Sequence, residues 1–108
     1  MNNELENNYK ILRELQHNPN SSQRKLAKEV GFSLGKLNYC LKALRQKGLI
    51  KIENFKKNSN KINYAYILTP KGIKNKAKLT MNFMIKKMQE YDELKKELII
   101  EKTKIKND

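Results

Sequence analysis

The chain of 108 residues has one cysteine, one histidine, two prolines and four glycines, and only 11 acidic residues against 24 basic ones. A single cysteine, Cys40, cannot close an internal disulfide, which fits a reducing cytoplasm. It has no neighbouring metal-ligand spacing and falls on the inward side of a helical pattern, so burial is expected in place of a thiol switch. The one histidine, His17, stands in the last turn of a helical segment, where a surface cation near the carbonyl end is a better account than a catalytic base. No glycine loop suited to cradling phosphate is present. Asp92 and Glu93 lie among alternating charges, which describes a solvated helix face and not a catalytic carboxylate pair. No apolar run is long enough to cross a membrane, and no signal-peptide pattern is present. These absences argue against an enzyme, a metal, a cofactor or a membrane partner. The length leaves room for one domain with a modest core, helped by oligomerisation.

What is present is concentrated in residues 22–48, which pattern as two short amphipathic helices around a glycine turn. Leu26, Ala27 and Val30 form one apolar stripe, Ser22 is placed to cap the first helix, and Gly31 to end it in a left-handed conformation. Small Ala27 lets the second helix approach closely. Ser33 caps that helix, and Leu34, Leu37, Cys40, Leu41 and Leu44 share one side of its wheel before Gly48 stops it. Gly35, Lys36, Asn38, Tyr39, Lys42 and Arg45 are left facing outward. Since an α-helix fits the DNA major groove, this outward face has the chemistry of a recognition surface. The plain alternative is a helical hairpin that buries leucines and solvates lysines.

The segments on either side favour the sharper reading. Upstream, Leu5, Tyr9, Leu12 and Leu15 recur at helical spacing from about Glu4 to His17, and Asn18-Pro19-Asn20 ends that helix, which should pack across the hairpin. Downstream, Leu49–Phe55 and Ile62–Leu68 carry β-branched and aromatic residues around the basic run Lys56–Lys61, a β-hairpin with a cationic tip. A hairpin directly behind a recognition helix is the wing of a winged helix. Charge follows the same layout: of the net +13, residues 24–61 hold eleven basic side chains against Glu29 and Glu53 alone, which favours a polyanionic partner. A bias toward Lys, Asn and Ile from AT-rich coding would also raise the total, though it would not place the excess on this module.

The stretch Pro19–Gly72, above all SQRKLAKEVGFS, LGKLNYCLKALRQKGLIKIENF and YAYILTPKG, resembles MarR-type winged helices, most closely the small EPS-associated MarR-family transcriptional regulators. The resemblance covers roughly residues 5–100 and implies a bacterial DNA-binding regulator; the link to exopolysaccharide genes comes with the family name alone. One departure is Lys25 at the third helical position after Ser22, where an acidic residue would complete a capping box. Compared with larger MarR proteins, the chain leaves little room for a roomy ligand pocket.

The last third reads differently. Thr69-Pro70 is a helix start, and no later proline interrupts the chain, so a helix from Pro70 to about Lys104 would run about 50 Å. Ala77, Met81, Met84, Met88, Tyr91, Leu98 and Ile105 lie on a 3,4-spaced seam, interrupted by Lys95 and Lys102, while Ile73 and Phe83 widen the apolar surface. Such a seam calls for a second copy of the chain, with methionine leaving helix direction open. The alternative is a terminal helix that folds back on its own domain and frays beyond Leu98.

The sequence therefore predicts a mostly α, α+β winged helix-turn-helix with a two-stranded wing, in residues 1–69, and a long dimerisation helix in 70–108. The leading function is a dimeric, sequence-specific DNA-binding regulator. Its base-reading candidates are Ser33, Gly35, Lys36, Asn38 and Tyr39, and its phosphate contacts Arg24, Lys42, Arg45, Lys56, Lys57 and Lys61. The runner-up is a winged-helix module that binds another protein through the long helix and nucleic acid only non-specifically. Operator sequence, effector and direction of regulation are not written in these residues.

Overall fold

The computed structural model describes residues 3–19, 21–58 and 61–107, the side chains of 54–58 and 61–64 excepted. The elements follow in the order α1 (Asn3–His17), α2 (Gln23–Val30), α3 (Leu34–Gln46), β1 (Ile50–Asn58), β2 (Lys61–Leu68) and α4 (Pro70–Asn107). The strands form one antiparallel pair with Ile50 opposite Leu68 and Lys56 opposite Ile62, and the register shifts between Lys56 and Asn58. Two compact units result, Met1–Lys78 and Leu79–Asp108.

Both hairpin helices begin as their sequences require. Ser22 and Ser33 are extended, and their hydroxyls accept from the amides of Lys25 and Lys36 at 3.2 and 3.1 Å. Each such cap satisfies an amide that has no partner within its helix, and contributes about 1 kcal/mol. The helix ends are equally legible: Gly31 has φ 77° and Gly48 φ 73°, a region glycine occupies without a Cβ penalty.

The core of the first unit is built from Ile11, Leu12 and Leu15 of α1, Leu26, Ala27 and Val30 of α2, Leu37, Cys40, Leu41 and Leu44 of α3, and Leu49 and Ile50 entering β1. Phe32, Tyr66 and Leu68 pack against its edge. Two expected core positions fall elsewhere. The buried face of α1 is Asn8, Ile11, Leu12 and Leu15, while Leu5 is exposed and Tyr9 half-buried. The 8, 11, 12, 15 spacing is itself a helical stripe, and packing selects it over the stripe that begins at Leu5. Leu34 is also exposed, since the first turn of α3 lies ahead of the buried leucines.

The wing strands are longer than the sequence pattern marks them. Strand β1 runs on to Asn58 and β2 starts at Lys61, so Lys56 and Lys61 are paired in the ladder and Lys57 falls at its register shift, all three within strands and not in a loop; their side chains lie outside those described. Helix α4 extends to Asn107, 38 residues or about 57 Å. Among the described residues no helix is long and apolar enough to cross a membrane.

Candidate nucleic-acid interface

Helix α3 divides into two faces. Leu37, Cys40, Leu41 and Leu44 are buried, and Gly35, Lys36, Asn38, Tyr39, Lys42 and Arg45 lie on the side turned to solvent, Tyr39 at 77 % exposure. The split follows the 3.6-residue turn: the buried set holds the helix on α1 and α2, which presents the opposite set outward. Helix α2 adds Arg24, exposed and just inside its first turn. Ser33 precedes the face, its hydroxyl oxygen engaged by the amide of Lys36. The ammonium of Lys36 sits 4.1 Å from the centre of the Phe32 ring, a cation–π contact that holds this long side chain near the front of α3.

Several contacts fix α3 within its unit. Lys47 at its C-terminal end pairs with Glu4 of α1 at 3.0 Å, and the ammonium of Lys71 donates to the Lys47 carbonyl at 3.1 Å. A cation at that end also meets the negative pole of the helix. Thr69 joins the start of α4 to the turn after α3, donating its hydroxyl to the Gly48 carbonyl at 2.6 Å and its amide to that of Leu49 at 3.0 Å. The same hydroxyl oxygen accepts from the amide of Gly72 at 3.0 Å, so Thr69 is the cap expected before Pro70. On the other side Gln23 Nε2 donates to the Tyr66 hydroxyl at 3.4 Å, linking α2 to the wing.

Burial raises the pKa of the Cys40 thiol, opposed in part by nearby Lys36 and reinforced by Glu4. A thiol held protonated is a packing group more than a nucleophile. His17 is exposed in the last turn of α1. Among the described residues no group of three or more His, Cys, Asp or Glu side chains could hold a metal ion.

The long helix carries the expected apolar stripe in the open. Met81, Met84, Met88, Tyr91 and Leu98 are between 50 % and 65 % exposed, and Ala77 is exposed as well. Sequence spacing missed the breadth of this surface, since Ile85, Leu94, Ile99 and Ile100 are also exposed.

Residues 4–51 match a family described as winged helix-turn-helix DNA-binding. No curated protein matches the chain. Among solved structures, a MarR family transcription regulator is 19 % identical over 80 % of this chain, with a TM-score of 0.68. AbsC, a MarR family transcriptional regulator from Streptomyces coelicolor, is 19 % identical over 82 % with a TM-score of 0.66. A mutant of ZitR from Lactococcus lactis is 22 % identical over 82 % with a TM-score of 0.64. The chain spans 56 % to 60 % of the length of these three structures. Residues 4–51 are thus similar to a winged helix-turn-helix DNA-binding family, and the chain has the winged helix-turn-helix fold that these MarR-family structures share.

Proposed function

We propose that the chain is a dimeric, non-enzymatic transcription regulator of the MarR type that binds specific double-stranded DNA in the cytoplasm. The observation that carries this reading is the exposed polar and basic face of α3, held on a buried leucine face within a winged helix-turn-helix. Ser33, Gly35, Lys36, Asn38 and Tyr39 are the base readers, with Asn38 suited to a bidentate contact with adenine. Arg24, Lys42 and Arg45, with Lys56, Lys57 and Lys61 of the wing, neutralise phosphates on either side. Functionally the chain divides at Thr69–Pro70, with recognition before it and dimerisation after it. The seam Ala77, Met81, Met84, Met88, Tyr91 and Leu98 pairs with the same seam of a second copy, because an apolar stripe on one helix needs another surface to exclude water. Membership of the EPS-associated subgroup, and with it a role at exopolysaccharide genes, rests on the sequence resemblance.

Selection of binding sites from random duplexes, followed by gel-shift titration, tests the reading. A regulator shifts its selected site at a salt concentration that releases it from bulk DNA. Two-fold symmetry makes that site an inverted repeat, with half-sites about 34 Å apart or a multiple of it. Equal affinity for all duplexes would favour the alternative, a protein-interaction module using the exposed apolar surface of α4.

A further inference from the structure

Helix α4 carries more than an apolar seam. Within the Leu79–Asp108 unit, the 3,4 spacing assigns Met81, Met88, Lys95 and Lys102 to the a site of a heptad, and Met84, Tyr91, Leu98 and Ile105 to its d site. All of them are exposed. A second copy that covers this seam must also meet the sites beside it, because the e and g side chains of two coiled helices close over the a and d layers. Those flanking residues give the pairing a direction.

The g site holds Thr80, Lys87, Leu94 and Glu101, and the e site Ile85, Asp92, Ile99 and Lys106. Two parallel helices in register bring each g residue to the next e residue of the partner. Lys87 then meets the partner's Asp92, Leu94 the partner's Ile99, and Glu101 the partner's Lys106. The first and last are ion pairs and the middle one is apolar, and each occurs on both sides of the pair by symmetry. Thr80 with Ile85 adds a contact without charge. Leu94 at 65 % and Ile99 at 56 % exposure lie off the a and d seam, so their contact accounts for apolar surface that the seam alone leaves uncovered. Lys87 does stand 3.6 Å from Glu90 on its own helix, but that pair is open to solvent, which makes it weak and leaves the ammonium able to turn to a partner.

Other arrangements lack this match. A parallel pair slipped by one heptad sets Lys87 against Ile99 and Leu94 against Lys106. An antiparallel pair sets e beside e and g beside g. In the antiparallel register that covers the whole seam, with Met81 opposite Ile105, Asp92 meets a second Asp92 or an isoleucine. The a site sets the number of strands. Lys95 and Lys102 can lay their stems along the seam and bring their ammonium groups to water at the edge of two helices, Lys102 beside the partner's Glu101, whereas a third helix would enclose both charges.

We propose that α4 pairs with a second copy as a parallel, in-register, two-stranded coiled coil over residues 81–105, its direction and register fixed by the Lys87–Asp92, Leu94–Ile99 and Glu101–Lys106 contacts between chains. This geometry rests on the α4 dimer of the preceding reading and gives it a direction. The two chains enter such a rod from the same end.

The test uses the full chain in a Cys40→Ala background, so that no native thiol takes part. Met84→Cys and Leu98→Cys are made separately. These positions are about 21 Å apart along the helix, so a parallel pair brings each to its own copy at disulfide distance, and an antiparallel pair at most one of them. Mild oxidation should therefore yield covalent dimers of both variants. In sedimentation, Lys87→Glu and Asp92→Lys, at exposed positions, should each weaken the dimer several-fold, because like charges then face each other. An equimolar mixture of the two should recover the parent's affinity as a heterodimer. A parent chain that sediments as a monomer would overturn the α4 dimer itself. A trimer, a dimer that crosslinks at one position or neither, or charge variants that gain nothing on mixing would overturn the parallel two-stranded pairing while leaving association through α4 standing.

Discussion

Gly72, in the first turn of α4, lies directly against the carbonyl of Leu49, where the chain passes from α3 into β1: a Cβ at position 72 would overlap that oxygen and its carbon. The same oxygen accepts the amide of Thr69 at 3.0 Å. The start of the long helix is thereby seated on the turn that follows the recognition helix, at a distance only glycine allows.

Gly72→Ala should therefore be costly although alanine is the better helix former. The obstacle is backbone on both sides, so relief requires α4 or β1 to move, and about 1–3 kcal/mol of stability is expected to be lost. Urea unfolding of parent and variant measures it. A neutral or stabilising substitution would contradict the close approach.

Asn38→Ala and replacement of the flanking cations should separate base reading from phosphate neutralisation. Asn38→Ala is expected to cost about 1–3 kcal/mol on the selected site and little on random DNA. Lys42→Gln with Arg45→Gln, or two changes among Lys56, Lys57 and Lys61, should weaken binding to all sequences alike and reduce the log–log salt slope by about 0.9 for each phosphate no longer neutralised. Gel-shift titrations at several salt concentrations on both DNAs provide the readout.

Met84→Glu or Met88→Glu should break the proposed pairing of α4. Both residues are more than half exposed in the single chain, so folding of the monomer should survive, while two like charges would face each other across a dimer. Sedimentation should show monomers with weakened operator binding. If the parent protein is itself monomeric at tens of micromolar, the seam has another purpose.

Cys40 should behave as packing. Burial holds its thiol above the ordinary value of 9.0, so alkylation by iodoacetamide should be slow at neutral pH and accelerate on unfolding. The raised value means that the contribution to stability is fully present below the unfolded thiol pKa, and is lost as pH rises through the folded one. Cys40→Ala should retain DNA affinity at about 1 kcal/mol or more of lost stability. Release from DNA by mild peroxide in the parent, abolished in that variant, would identify a sensor.

The elements whose rules are local could be read from the residues alone. Ser22 and Ser33 cap helices because their hydroxyls reach amides three residues on, and Gly31 and Gly48 end them because the left-handed turn excludes a Cβ. Leu37, Cys40, Leu41 and Leu44 declare the buried side of α3 by spacing, which in turn names the outward residues. The choices made between distant segments were decided only by the tertiary structure. Helix α1 has two apolar stripes of similar quality, and contact with α2 and α3 selects the one containing Asn8 and Ile11 over the one containing Leu5. Glycine at 72 looks like a weak helix residue until Leu49 is brought against it. A cleft between α1 and α3 is likewise invisible in the chain, since its walls, drawn from residues 4–8 and 36–47, come face to face only through helix packing.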